Sequence, residues 1–126
     1  MRKIKLNGQN INISSSGNSL LIYPDTFRGA DLFRDASLFL FGVANKELPN
    51  GTLMTQLMYT FIKTADASVY PTYKAMIDSL HDLKYMTDPE VVGAVFDECC
   101  EMLGYTGDDS VAEPENDKKK ETTAGK

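Results

Sequence analysis

The first thirteen residues constrain the chain more than any other stretch. Between Arg2 and Ile13 the apolar Ile4, Leu6, Ile11 and Ile13 alternate with the polar Lys3, Lys5, Asn10 and Asn12 about the dipeptide Asn7-Gly8. A period of two sends successive side chains to opposite faces of a strand. Asn and Gly tolerate the positive φ angles that a two-residue turn needs. The pattern therefore predicts an antiparallel hairpin with Ile4 opposite Ile11, one face packed inward and the other wet.

After the hairpin the period changes. Ser14 to Ser19 is small and polar and reads as a loop, while Leu20 to Tyr23 is short and apolar enough for a third strand, stopped by Pro24-Asp25. From about Thr26 to Ala44, Leu32, Phe33, Ala36, Phe39, Leu40 and Val43 follow helical spacing. Leu38 and Phe41 widen that apolar surface around the cylinder, so this helix has more than one face to cover.

Leu48-Pro49-Asn50-Gly51 is a turn, and Thr52 is placed to cap a helix whose stripe is Leu53, Met54, Leu57, Met58, Phe61, Ile62 and Ala65. Pro71 suits a first helical turn, with Tyr73, Met76, Ile77, Leu80 and Leu83 forming the next apolar face, ending near Tyr85. Thr87 with Glu90 three residues later has the form of a capping box for a helix burying Val91, Val92, Val95, Phe96, Cys99 and Leu103, and Gly104 supplies its stop. Beyond Thr106 the chain is polar and aperiodic, with Asp108, Asp109, Glu113, Glu115 and Asp117 before Lys118-Lys119-Lys120. The expected architecture is α+β: an amino-terminal hairpin with a candidate third strand, a bundle of about four helices in one domain over residues 1–105, and a disordered charged tail over 106–126.

Composition narrows the function. A length of 126 residues suits one domain, and a formal charge of -5 disfavours nonspecific binding to nucleic acid, which needs clustered Lys and Arg. The longest mostly apolar stretch, Ala36 to Ala44, is far short of the roughly 20 residues that cross a bilayer. An alternating amino terminus does not have the form of a secretory signal, so the expected location is the compartment of synthesis. The two cysteines, Cys99 and Cys100, are neighbours on a helix and cannot form a disulfide framework.

Catalytic chemistry finds little to work with. His81 has Asp78 and Asp82 nearby but no adjacent nucleophile, which an exposed polar helix face explains as well. Cys99-Cys100 with a single histidine fall short of the four ligands of a tetrahedral metal site. The loop Ser14-Ser15-Ser16-Gly17-Asn18 lacks the spacing of a phosphate-binding loop. No catalytic, cofactor-binding or metal-binding residue is assigned, and the expectation is a binding module that is not an enzyme. Its candidate partner-binding residues are Leu38, Phe41, Met54 and Met58: methionine adapts to a changing partner as well as to a core gap, and excess apolar groups on one helix suit an interface or a core.

The order of these features resembles the tail assembly chaperones of long-tailed, noncontractile bacteriophages. The resemblance rests on the Ile4 to Gly8 hairpin, the Thr26-Phe27-Arg28 entry to a helix, the segment Thr72 to Leu80, and a last helix running into a charged tail, covering roughly residues 1 to 105. Met76-Ile77 departs from the aromatic-aliphatic pair of that family. The resemblance implies a protein of the host cytoplasm, absent from the mature virion, that coats the tape measure protein, helps tail tube protein polymerise around it, and self-associates. It also implies a longer form made by ribosomal frameshifting, for which an adenine run encoding Lys118-Lys119-Lys120 is the candidate; a solubilising basic cluster explains three lysines equally. Two other readings fit a small chain without catalytic groups: a structural virion part, such as a head-tail joining or tail completion protein, and an acidic inhibitor protein.

Overall fold

The computed structural model describes residues 1–48 and 50–105. The charged tail expected over 106–126, with its lysine run, and Pro49 of the second turn lie outside the described residues. The fold is α+β and mostly helical. Two strands, β1 (Arg2–Leu6) and β2 (Gln9–Ile13), precede five helices: α1 (Gly17–Thr26), α2 (Leu32–Ala44), α3 (Gly51–Ala65), α4 (Tyr73–Ser79) and α5 (Pro89–Met102). A short 3₁₀ helix, Lys84–Thr87, joins the last two.

The hairpin forms as its pattern predicts. Ile4 pairs with Ile11 in an antiparallel register, and Asn7 and Gly8 turn the chain at φ 54° and 80°. Ile4, Leu6, Ile11 and Ile13 all face the core. The turn is also held from outside: the Asn7 amide donates to the Ser79 carbonyl at 2.7 Å, which ties the hairpin tip to the end of α4.

The segment after the hairpin is helical, which corrects the expectation of a loop and a third strand. Ser16 caps α1, its hydroxyl accepting from the Asn18 N–H while its own N–H donates to the Ser19 hydroxyl. Once that cap is made, Ser19 and Tyr23 fall one turn apart on the buried side, and Leu20 and Leu21 are left exposed. Pro24 has no N–H to donate to the preceding turn, and the helix ends two residues later.

The helix expected from Thr26 to Ala44 is correspondingly shorter. Gly29, at φ 77°, lets the chain turn, and Asp31 caps α2 by accepting from the Arg34 N–H at 3.1 Å. Three other boundaries move by the same logic, the better-placed side chain winning. Asn50, not Thr52, caps α3 through the Leu53 N–H. Thr72 caps α4, so Pro71 lies just outside the helix, which stops at Ser79 well before Tyr85. Asp88, not Thr87, caps α5, with Pro89 in its first turn.

Helix α3 is the centre of the molecule. Met54, Thr55 and every residue from Leu57 to Ile62 are buried, so the helix is covered on all sides and not along one stripe. Its two buried threonines in the middle, Thr55 and Thr60, return their hydroxyls to carbonyls one turn back. Strand β2 docks on it through the Ser14 N–H to the Phe61 carbonyl. Between α1, α3 and α4 the rings of Tyr23, Phe27, Tyr59 and Tyr73 meet edge to face or tilted, with centroids 4.8 to 6.4 Å apart. Strand β1 docks on α5 by an ionic route: the Arg2 guanidinium bridges Glu98 and Glu101, and Glu98 is almost fully buried.

Candidate functional site

Helix α2 presents two chemically different sides. Leu32, Asp35, Ala36, Phe39 and Leu40 are buried against the rest of the fold. Phe33, Leu38 and Phe41 point the other way and are 63%, 52% and 40% exposed. At 3.6 residues per turn Arg34, Leu38 and Gly42 lie four apart along one ridge, and Phe33 and Phe41 lie on the neighbouring ridge, both on the same side of it. The outward face is thus an apolar strip with a single cation at its amino-terminal end.

The carboxyl end of that strip is shaped by how α2 stops. Lys46 adopts a left-handed conformation at φ 62°. Its N–H bonds the Val43 carbonyl and the Glu47 N–H bonds the Gly42 carbonyl, the pair of reversed bonds that satisfies the last orphan acceptors of a helix. The turn folds the Glu47 side chain back over the helix: a Cβ placed on Gly42 would meet only Glu47 Oε1, at 3.8 Å. A carboxylate therefore closes the end of the ridge that Arg34 opens.

Arg34, its side chain largely exposed, meets a buried carboxylate beside it. Its Nε lies 3.4 Å from Oδ1 of Asp35, an atom that is otherwise buried without a hydrogen-bond partner. The other oxygen of that carboxylate accepts from the Tyr23 hydroxyl at 2.7 Å, with the Gln56 amide 3.1 Å from the same hydroxyl. Burial, and next the hydrogen bond to Asp35, push the Tyr23 phenol well above its ordinary pKa.

The apolar strip continues past Phe33 into a groove of about 450 Å³ between the start of α1 and the end of α5, whose apolar wall is Leu20, Leu32, Phe33, Met102 and Leu103. Two of these residues escape the sequence pattern. Phe33 lies at the edge of the inward stripe, only about 20° around the helix from the buried Leu40, and Leu20 sits in a run that is apolar at every position. The reciprocal serines Ser16 and Ser19 are the signal that Leu20 belongs to a helix, while the exposure of Phe33 depends on which neighbours cover α2.

Of the four candidate partner-binding residues, Leu38 and Phe41 share this face. Met54 and Met58 do not: both are 0% exposed in the centre of α3, so the structure corrects their assignment and makes them core. They are enclosed because every side of α3 is covered, a circumstance no stripe on a single helix reveals.

The residues weighed for catalysis are scattered. Cys99 is buried and Cys100 half-buried, and burial pushes both thiols up, which keeps them protonated and weakly nucleophilic. His81 is exposed and its N–H meets the Asn7 side chain, while Asp78 pairs with Lys74. Among the described residues no group of three or more His, Cys, Asp or Glu is placed to hold a metal ion, and no helix is long and apolar enough to cross a membrane. No family model, no curated protein and no solved structure matches this chain.

Proposed function

We propose that the chain is a phage tail assembly chaperone that works by protein-protein contact through the outward face of α2. The observation that carries the reading is the exposure of Phe33, Leu38 and Phe41 on one side of a single capped helix. Large apolar groups grouped in this way favour a partner, since each loses contact with water when the face is covered. The client proposed is the long helical tape measure protein, whose own apolar surface needs temporary cover until tail tube protein replaces the chaperone. Such an exchange calls for modest affinity at each site, repeated along the client. The reading places the protein in the host cytoplasm and outside the mature virion.

The test is co-purification of the Leu38→Asp/Phe41→Asp variant with co-expressed, tagged tape measure protein, beside a circular dichroism melt of the same sample. A folded variant that no longer binds supports the reading. A folded variant that binds as the parent does places the client surface elsewhere, and a parent that never binds removes the chaperone role.

A further inference from the structure

We infer that the open edge of β1 takes up an acidic, extended segment of a partner protein as a third strand, held by main-chain hydrogen bonds and by the ammonium groups of Lys3 and Lys5. This edge is separate from the outward face of α2 and binds, or fails to bind, whatever the fate of the chaperone reading.

Leu6 and Gln9 close the two-residue turn, and from there the antiparallel register pairs Ile4 with Ile11 and Arg2 with Ile13. Backbone groups of successive residues point to alternate sides of a strand, so the N–H and C=O of Lys3 and Lys5 turn away from β2. No turn or loop among the described residues pairs with these groups, and both lysines are exposed. A two-stranded sheet with an unpaired outer edge is a template for one more strand.

The side chains select which strand. Lys3 and Lys5 stand on the wet face beside that edge, across from Asn12 and Asn10. Among the described residues the ion pairs use Arg2, Arg34 and Lys74, which leaves both of these ammonium groups free. Lysines along an edge turn away an uncharged or basic strand. A strand with carboxylates at alternate positions instead sets one beside each lysine on the same face, a favourable cross-strand pair.

Past Lys5 the edge runs into a cavity of about 220 Å³ between the hairpin tip and the connection from α4 to α5, with Leu80, His81, Lys84 and Tyr85 in its wall. Its two carboxylates are already engaged, Asp82 accepting from the Lys84 N–H and Asp88 from the Glu90 N–H. The end of an added strand has room there. Because the chain as a whole carries a formal charge of -5, the attraction is local, and binding is weak and sensitive to salt.

Amide hydrogen exchange on the isotope-labelled full chain, titrated in low-salt buffer with a synthetic peptide of alternating glutamate and valine, tests the site. Lys3 and Lys5 are expected to exchange at least about tenfold more slowly at saturating peptide, while Ile4, already paired with Ile11, does not change. A peptide of alternating lysine and valine is expected to change neither. Lys3→Glu/Lys5→Glu should melt as the parent does and reverse the preference, losing at least about tenfold in affinity for the glutamate peptide and gaining the lysine one. A glutamate peptide methylated on alternate main-chain nitrogens keeps its charge, loses its edge-facing donors and is expected not to bind. A parent that ignores the glutamate peptide overturns the inference, as does a variant whose preference does not reverse. Binding of the methylated peptide, or binding without slowed exchange at Lys3 and Lys5, replaces strand addition with a purely ionic contact. Slow exchange of these amides before any peptide is added also overturns it, because the edge is then already covered: by a second copy if protection grows with protein concentration, by residues 106–126 if it does not.

Discussion

The Tyr23 hydroxyl donates a 2.7 Å hydrogen bond to the carboxylate of Asp35, and through it the cap-defined register of α1 is locked to that of α2. Asp35 is buried on α2 beside Ala36, Phe39 and Leu40, where an ionised carboxylate is tolerated only with partners. Tyr23→Phe keeps the ring packing against Phe27 and removes only the donor. The expected outcome is a loss of about 2 kcal/mol of stability, read as a fall of roughly 10 °C in Tm. An unchanged melt would mean that Arg34 alone suffices to hold the carboxylate.

Gly8 occupies the left-handed region at φ 80°, and a Cβ built there meets nothing within 4 Å. Replacing it therefore costs backbone strain and no steric clash. A β-branched residue is the most penalised, so Gly8→Val is expected to lose about 1 to 2 kcal/mol. Gly8→Asn, which tolerates the same region, should lose much less. Equal melts for the two variants would sink the turn assignment.

These two cases mark what the sequence makes legible. The hairpin is readable because its period, its turn dipeptide and its register are all local. Helix α3 is readable too, though its stripe conceals that Thr55, Tyr59 and Thr60 are covered as well. Helix α1 is not readable from hydropathy. The run Leu20-Leu21-Ile22-Tyr23 is apolar at every position, so no period distinguishes strand from helix, and only the serine pair Ser16 and Ser19 decides it. The site is half legible for a related reason. An apolar excess on α2 identifies Leu38 and Phe41, but whether Met54 or Leu38 meets solvent depends on which neighbours cover each helix, and that is a property of the assembled fold.

Arg2 holds β1 to α5 through Glu98 and Glu101, and pH should act on this contact through Glu101. The hydrogen bond from Arg2 holds the Glu101 carboxyl below its ordinary value of 4.5. A group whose folded pKa is depressed contributes stability that is fully present above its unfolded pKa and lost as pH falls through the folded value. The melt of the parent should therefore fall more steeply below about pH 4.5 than that of Glu101→Gln. Glu101 is exposed, so the difference is small. Identical acid limbs would show that the contact is formed without being felt.

Arg2→Met on the same contact has a larger expected effect, because Glu98 is 1% exposed and would lose its cation. The Arg2 side chain is 30% exposed, so the pair is only partly buried and the cost falls below the about 3 to 5 kcal/mol of removing one partner of a fully buried pair. Arg2→Met combined with Glu98→Gln should recover part of that loss, since no buried charge is then left unpaired. A single variant that melts as the parent does would place the Arg2 guanidinium in water.

The last prediction separates the two helices that the sequence treats alike. Met58 is enclosed at the centre of α3, whereas Leu38 stands on the outward face of α2. Truncating a buried methionine loses its transfer energy and leaves a cavity that close-packed neighbours fill only in part, so Met58→Ala is expected to lose about 2 to 5 kcal/mol. Leu38→Ala removes a side chain already half in water and should change stability by no more than about 0.5 kcal/mol. Denaturant unfolding measures both differences, with an unchanged slope required so that the midpoint shift reads as stability. The pair of outcomes matters more than either alone. Two large losses would mean that α2 is covered in solution by something that stabilises the fold, and repeating the experiment at lower protein concentration would expose it, since a second copy dissociates on dilution whereas an intramolecular contact does not.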